Sequence, residues 1–211
     1  MGWFSYRLKR NFFCPIAYNK VVDALTGIIS AFGLSASAGL NAYIPLLVVA
    51  LLGRFTTLIK LSPPWDTLTN GWIIGLLIVL IVIEFFADKV PAINHVNDLI
   101  QTFIRPAAGA IIFAASAGAI TDIHPVLALS CGLLVAGTVH AVKSLAVRPA
   151  VTATTGGAGN VPVSIAEDLI STLLSILSVV IPLLVAMIVI LFTSWVIWKL
   201  WRRANQEVLK S

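Results

Sequence analysis

Between Glu84 and Pro106 the chain reads EFFADKVPAINHVNDLIQTFIRP, which gathers Glu84, Asp88, Lys89, His95, Asp98 and Arg105 between two strongly apolar runs. Ionisable groups in such surroundings are costly unless they face protein interior, a water-filled cavity or the lipid headgroup boundary. Glu84 and Asp88 are four residues apart, so on a helix they share a face and present two carboxylates to a cation or a proton. The plainer reading pairs Asp88 with Lys89 at the membrane edge and bonds Glu84 to a neighbouring helix. Asp98 and Arg105 lie on the polar side of the amphipathic stretch from Pro91 to Arg105, together with Asn94 and Gln101. That side is either a solvated interfacial stripe or the lining of a cavity. In the second case Arg105 binds an anion or pairs with an acid such as Glu84 or Glu167.

A second group follows. His140 and Lys143 share a face near the end of an apolar run, where a histidine can shuttle protons or simply be hydrogen-bonded. Residues 148–162, RPAVTATTGGAGNVP, are rich in Thr and Gly and lead into Ser164, Glu167 and Asp168. Ser164-x-x-Glu167 fits a capping box. Backbone N–H groups at such a helix start can cradle an anion, but no Gly-Lys-Ser/Thr follows. Glu167 and Asp168 would also repel a bare anion there, and a connector or a re-entrant segment is the plainer expectation. The candidate ion or substrate pathway is therefore Glu84, Asp88, Asp98, Arg105, His140, Lys143, Glu167 and Asp168. His95, His140 and several carboxylates could line a route for a divalent metal, but no His-x-x-Glu or cysteine-pair spacing accompanies them. No hydrolase, metalloprotease or nucleotide fingerprint occurs either. No metal, cofactor or catalytic residue is expected, and the chain does not read as an enzyme.

The elements that must position these groups are membrane helices. Of 211 residues, 59% are hydrophobic and 11% charged, against about 45–50% and about 25% in soluble domains. Apolar runs of about 20 residues recur, each enough to cross a bilayer. The expected fold is all-α: a polytopic transmembrane helical bundle of about six spans, with discontinuous or half-helices. Residues 1–20 form a basic amphipathic arm, 21–200 the membrane domain and 201–211 a basic tail. The net charge of +5 is concentrated at the ends, with Arg7, Lys9, Arg10 and Lys20 before the first span and Lys199, Arg202, Arg203 and Lys210 after the last. That is the positive-inside pattern for two cytoplasmic termini, not a nucleic-acid signature. Cys14 and Cys131 are far apart and read as free thiols.

Along the membrane domain, Gly33, Ser35, Ser37 and Gly39 make a small-residue face for close helix contact. Pro45 kinks or ends the first segment. The second span is Trp72 to Ala87, the third Ala107 to Ile120 after the Arg105-Pro106 break, and the fourth Val126 to about Val142. Ser164 to Trp198 is too long for one span and divides at Pro182. An internal duplication is also legible. Val90-Pro91 with Asp98-Leu99-Ile100 and Thr102 resembles Val161-Pro162 with Asp168-Leu169-Ile170 and Thr172.

The segments AGLNAYIPLL (38–47), EFFADKVPAINHVNDLIQTFIRPAAGA (84–110), His140-Ala-Val-Lys143 and the run around Ser164, Glu167 and Asp168 resemble a family of small bacterial inner-membrane proteins, domain of unknown function 4126. The resemblance covers about residues 27–190. It implies a multi-pass protein of the bacterial inner membrane and supplies no activity. The expected function is a transporter or channel for a small ion or solute, in contact with membrane lipids and forming homo-oligomers. The alternatives are a non-transporting membrane scaffold or assembly protein and, behind it, an intramembrane enzyme.

Overall fold

The computed structural model describes residues 15–59, 61–87, 91–118 and 123–208. Side chains are described from residue 24 onward, except for 91–96, 98, 183, 185, 186, 189, 200 and 203–208. The helices are α1 (Pro15–Leu40), α2 (Tyr43–Phe55), α3 (Gly71–Ala87), α4 (Pro91–Gly118), α5 (Pro125–Val142), α6 (Arg148–Thr155), α7 (Asn160–Val180) and α8 (Pro182–Val208). A short 3-10 turn, Trp65–Thr69, lies between α2 and α3, and a π turn, Lys143–Val147, joins α5 to α6.

The fold is all-α, and among the described residues three stretches are long and apolar enough to cross a membrane: Leu99–Ala117, Pro125–Thr155 and Asn160–Val180. Gly71–Ala87 is a shorter apolar helix of 17 residues, about 25 Å at ~1.5 Å per residue, and Tyr43–Phe55 is shorter still. The topology is multi-pass, and what faces outward is what lipid accepts. On α3, Leu76, Val79, Ile83 and Phe86 are exposed, while Ile74, Leu77 and Glu84 are buried. Near the end of α8, Lys199 lies 4.8 Å over Trp195 and Arg202 lies 5.3 Å over Trp198, the aromatic and basic mixture of a membrane–water interface.

The core is the mutual contact of α1, α4 and α5, and small residues set its spacing. A Cβ on Gly132 would meet the Gly109 carbonyl oxygen, and one on Gly39 would lie 2.6 Å from the Ala136 carbonyl. Into this gap α1 sends Ser35, whose hydroxyl lies 2.8 Å from the Gly132 carbonyl and 3.2 Å from that of Gly109. In lipid there is no hydrophobic force between helices, so close van der Waals contact and such bonds carry the association. Leu34, Ala38, Ile112 and Ala136 fill the remainder. The small-residue face read at Gly33, Ser35, Ser37 and Gly39 is buried, with Ser35 and Gly39 at this contact and Ser37 against α7.

Three local expectations are corrected. Arg105-Pro106 does not separate two helices, because α4 runs unbroken from Pro91 to Gly118 with Pro106 inside it. Ser164 is not an N-cap: α7 starts four residues earlier, at Asn160, and Ser164 lies buried within it. Residues 148–155 are helix rather than loop, so the connector shrinks to the turn at 156–159, where Gly156 ends α6 at φ 61°. Left-handed backbone there favours glycine. The breaks read at Pro45 and Pro182 do occur. α1 ends at Leu40 and α2 begins at Tyr43, with Pro45 in its first turn, while Ile181 separates α7 from α8.

Candidate functional site

The break between α1 and α2 is built by Asn41. Its Oδ1 accepts from the N–H groups of Tyr43 (3.1 Å) and Ile44 (3.2 Å), capping the new helix. Its Nδ2 donates to Asp168 Oδ1 on α7 at 3.0 Å. Ending α1 at this point also leaves the Leu40 carbonyl available, and Lys143 Nζ donates to it at 3.1 Å. The last carbonyls of a helix carry partial negative charge and favour a cation.

Lys143 stands at the start of the π turn and is 4% exposed. Its Nζ lies 2.7 Å from Glu167 Oε2 on α7. Arg148, at the start of α6, approaches the same oxygen with Nη2 at 3.4 Å. One carboxylate oxygen is thus shared by two buried cations.

A second cluster lies beside the first. Arg105 on α4 is fully buried and makes a salt bridge from Nη2 to Glu84 Oε1 on α3 at 3.0 Å. Its Nη1 lies 3.4 Å from His140 Nδ1 on α5. A guanidinium can only donate, so Nδ1 accepts and the ring carries its proton on Nε2. That N–H donates in turn to Thr102 Oγ1 at 3.2 Å. The Gln101 amide and the Tyr43 hydroxyl also meet here, within electrostatic range of Glu84 and Arg105. Lys143 is in range of Arg105 as well, which joins the two clusters into one polar centre.

Five of the eight residues read from the sequence are therefore brought together: Glu84, Arg105 and His140 in one cluster, Lys143 and Glu167 in the other. Asp168 stands beside them, held by Asn41. Asp88 and the side chain of Asp98 lie outside the described residues. Over its described part, 99–105, the polar side of this stretch faces inward, since Gln101 and Arg105 are buried while Leu99, Ile100 and Phe103 are exposed. The turn at 156–159 satisfies several of its own donors internally. The N–H groups of Ala158, Gly159 and Asn160 go to the Thr155 carbonyl, the Thr155 hydroxyl and the Gly157 carbonyl. Among the described residues, no group of three or more His, Cys, Asp or Glu side chains could hold a metal ion.

The family profile described as "Domain of unknown function (DUF4126)" matches residues 28–202. The chain belongs to the DUF4126 family. Every described ion pair of the polar centre falls within that match. No curated protein and no solved structure matches the chain.

In this DUF4126 protein three contributors escape a reading of charge alone. Asn41 has a local signature, a capping residue followed by a proline in the first turn. Arg148 was hidden by its position in a Thr- and Gly-rich stretch. The serines of α7 are a stripe at helical spacing: Ser164, Ser171, Ser175 and Ser178 are all fully buried. Ser37 Oγ donates to the Ser171 carbonyl at 2.8 Å and lies 2.7 Å from the Ser175 hydroxyl, locking α1 to α7 below the charged centre.

Proposed function

We propose that this protein is a transporter or channel for a small ion or solute, with its binding site at the polar centre around Lys143, Glu167 and Arg105. The observation that carries this reading is the convergence of buried ionisable side chains on a helix break at Asn41. Ionisable groups inside a membrane domain are expensive and usually functional. Transporter sites are typically made where discontinuous helices present free backbone groups and a capped N-terminus to the solute.

The topology that goes with it has six spans: α1 with α2, then α3, α4, α5 continuing into α6, α7 and α8. Both termini lie on the cytoplasmic side of a bacterial inner membrane, as the basic ends require. Lipids, the solute and further copies of the same chain are its partners; it acts on no nucleic acid, needs no cofactor and catalyses no reaction. An internal duplication fits this plan. α4 begins at Pro91 and α7 carries Val161-Pro162 in its first turn, and the paired positions Gln101 and Ser171, and Arg105 and Ser175, are buried in both.

A scaffold without transport is the second reading, favoured by the pairing of Glu84 with Arg105 and of Glu167 with Lys143 and Arg148. Reconstituted vesicles separate the two. Wild-type protein should carry a small-ion flux that Glu84→Gln and Arg105→Ala abolish while both variants still insert and fold. Normal flux from both variants would sink the site, and no flux from folded wild type across a panel of anions and cations would leave the scaffold.

A further inference from the structure

Gln101 and Arg105 are one turn apart on α4 and share its inner face, with side chains buried at 2% and 0% exposure. Each has one polar atom left over. Among the described residues, neither Gln101 Oε1 nor Arg105 Nε has a hydrogen-bond partner. Buried polar atoms are nearly always bonded, so a leftover acceptor beside a leftover donor calls for a cause. The two are complementary, yet they are not bonded to each other.

The cause lies on the far side of both groups. Arg105 is held at Nη2 by Glu84 of α3, at 3.0 Å, and at Nη1 by His140 of α5, at 3.4 Å. The guanidinium is planar and rigid, so these two bonds also fix where its Nε–H points. The Gln101 amide is hydrogen-bonded to Tyr43 of α2, which fixes the amide in turn. Three neighbouring helices thus hold a donor and an acceptor in set positions, and preorganisation of this kind favours a ligand. We propose that Gln101 Oε1 and Arg105 Nε form a binding site for a small uncharged molecule carrying a hydrogen-bond donor next to an acceptor, either water or the primary amide of a small solute. Such a molecule donates to Oε1 and accepts from the Nε–H; a water with these two partners meets the minimum for a buried one. A carboxylate takes the Nε–H but sets its own lone pairs against Oε1, and an ammonium serves Oε1 but faces the guanidinium charge. The site concerns what this cluster binds, whether the protein transports or only scaffolds, and does not rest on the transport reading.

The test is saturation-transfer NMR of acetamide with the purified full chain in detergent, read against empty micelles and against acetate, its charged counterpart of similar shape. Wild type should bind acetamide about tenfold more tightly than acetate, the factor that one hydrogen bond supplies. Gln101→Met removes the acceptor, and Arg105→Lys removes the Nε–H while keeping a cation opposite Glu84. Each should weaken acetamide binding about tenfold, while Arg54→Gln, at an exposed position, should bind like wild type. Thermal unfolding establishes which variants are folded, and Arg105→Lys carries the test if Gln101→Met is not. X-ray radiolytic labelling then distinguishes the two sources. A resident water beside Gln101 yields hydroxyl radical that oxidises Tyr43, and this label should fade in Gln101→Met and in Arg105→Lys. Acetamide binding assigns the site to a solute, and the Tyr43 label without acetamide binding assigns it to water. Acetate bound as tightly as acetamide would overturn the proposal, as would acetamide binding or a Tyr43 label that survives both substitutions. Folded wild type with neither acetamide binding nor the label would overturn it equally.

Discussion

Lys143 Nζ donates to the carbonyl of Leu40, 3.1 Å away, and so places a buried cation at the end of α1 where that helix breaks. The same ammonium touches Glu167 on α7. A single side chain therefore ties the break to two other helices, and the polar centre and the fold depend on the same contacts. Perturbing the centre should show in stability as well as in function.

The Glu84–Arg105 pair is the clearest case. Arg105→Met leaves the Glu84 carboxylate without its salt-bridge partner in a site where both side chains are at most 2% exposed. Removing one member of a buried pair costs about 3–5 kcal/mol, whereas replacing both by apolar groups can be close to neutral. Chemical unfolding in detergent should therefore find the single variant strongly destabilised and Glu84→Leu with Arg105→Leu substantially recovered. Equal stability of Arg105→Met and wild type would count against a buried pair.

Asn41→Ala removes the cap of α2 and should cost about 0.5–2 kcal/mol. Asn41→Asp keeps an acceptor for the Tyr43 and Ile44 N–H groups but sets a carboxylate against Asp168, 3.0 Å from the present amide. The aspartate variant should melt below the alanine variant near neutral pH and approach it as pH falls and the carboxylates protonate. A higher melting temperature for Asn41→Asp at neutral pH would contradict the assigned contact.

Gly132→Ala tests the helix spacing. Its new methyl would meet the Gly109 carbonyl, with Phe113 Cβ at 2.6 Å and Ala110 Cα at 2.8 Å, and overpacking of this kind costs about 1–3 kcal/mol. Gly75→Ala, which meets nothing within 4 Å, should instead be neutral or gain up to about 1 kcal/mol of helix propensity. Gly132→Ala should lower the unfolding midpoint, and Gly75→Ala should leave it unchanged or raise it.

Much of this arrangement is legible from residue types. The apolar runs mark the membrane helices, and a buried Glu84 or Arg105 is costly enough that its presence in such a run already calls for a partner. The two-sided pattern of residues 91–105 is legible too, but it fits an interfacial stripe as well as a cavity lining, and only the burial of Gln101 and Arg105 decides for the interior. Continuity is where local signals mislead. Pro106 reads as a break, yet α4 passes through it, because a membrane helix can re-satisfy a freed carbonyl from its neighbours. The Thr- and Gly-rich stretch reads as a loop, yet its first eight residues are helical, and so Arg148 goes unnoticed. The π turn leaves no mark in composition, and without it the spacing of Lys143 and Arg148 argues against their meeting. The serine stripe of α7 is readable once the serines are taken as polar groups bonding across helices rather than as neutral fill.

The central claim is that solute reaches this centre, and thiol accessibility tests it most directly. Single cysteines at positions 84, 105, 143, 148 and 167, in a background lacking Cys14 and Cys131, would be probed in sealed vesicles with small charged thiol reagents applied from each side. Leu34→Cys, in the dry core at 0% exposure, is the negative control. The expected result is that positions 143, 148 and 167 react from at least one side, while position 34 stays silent. Silence at all five positions in folded protein would contradict a solute pathway and leave the charges as internal struts of a scaffold.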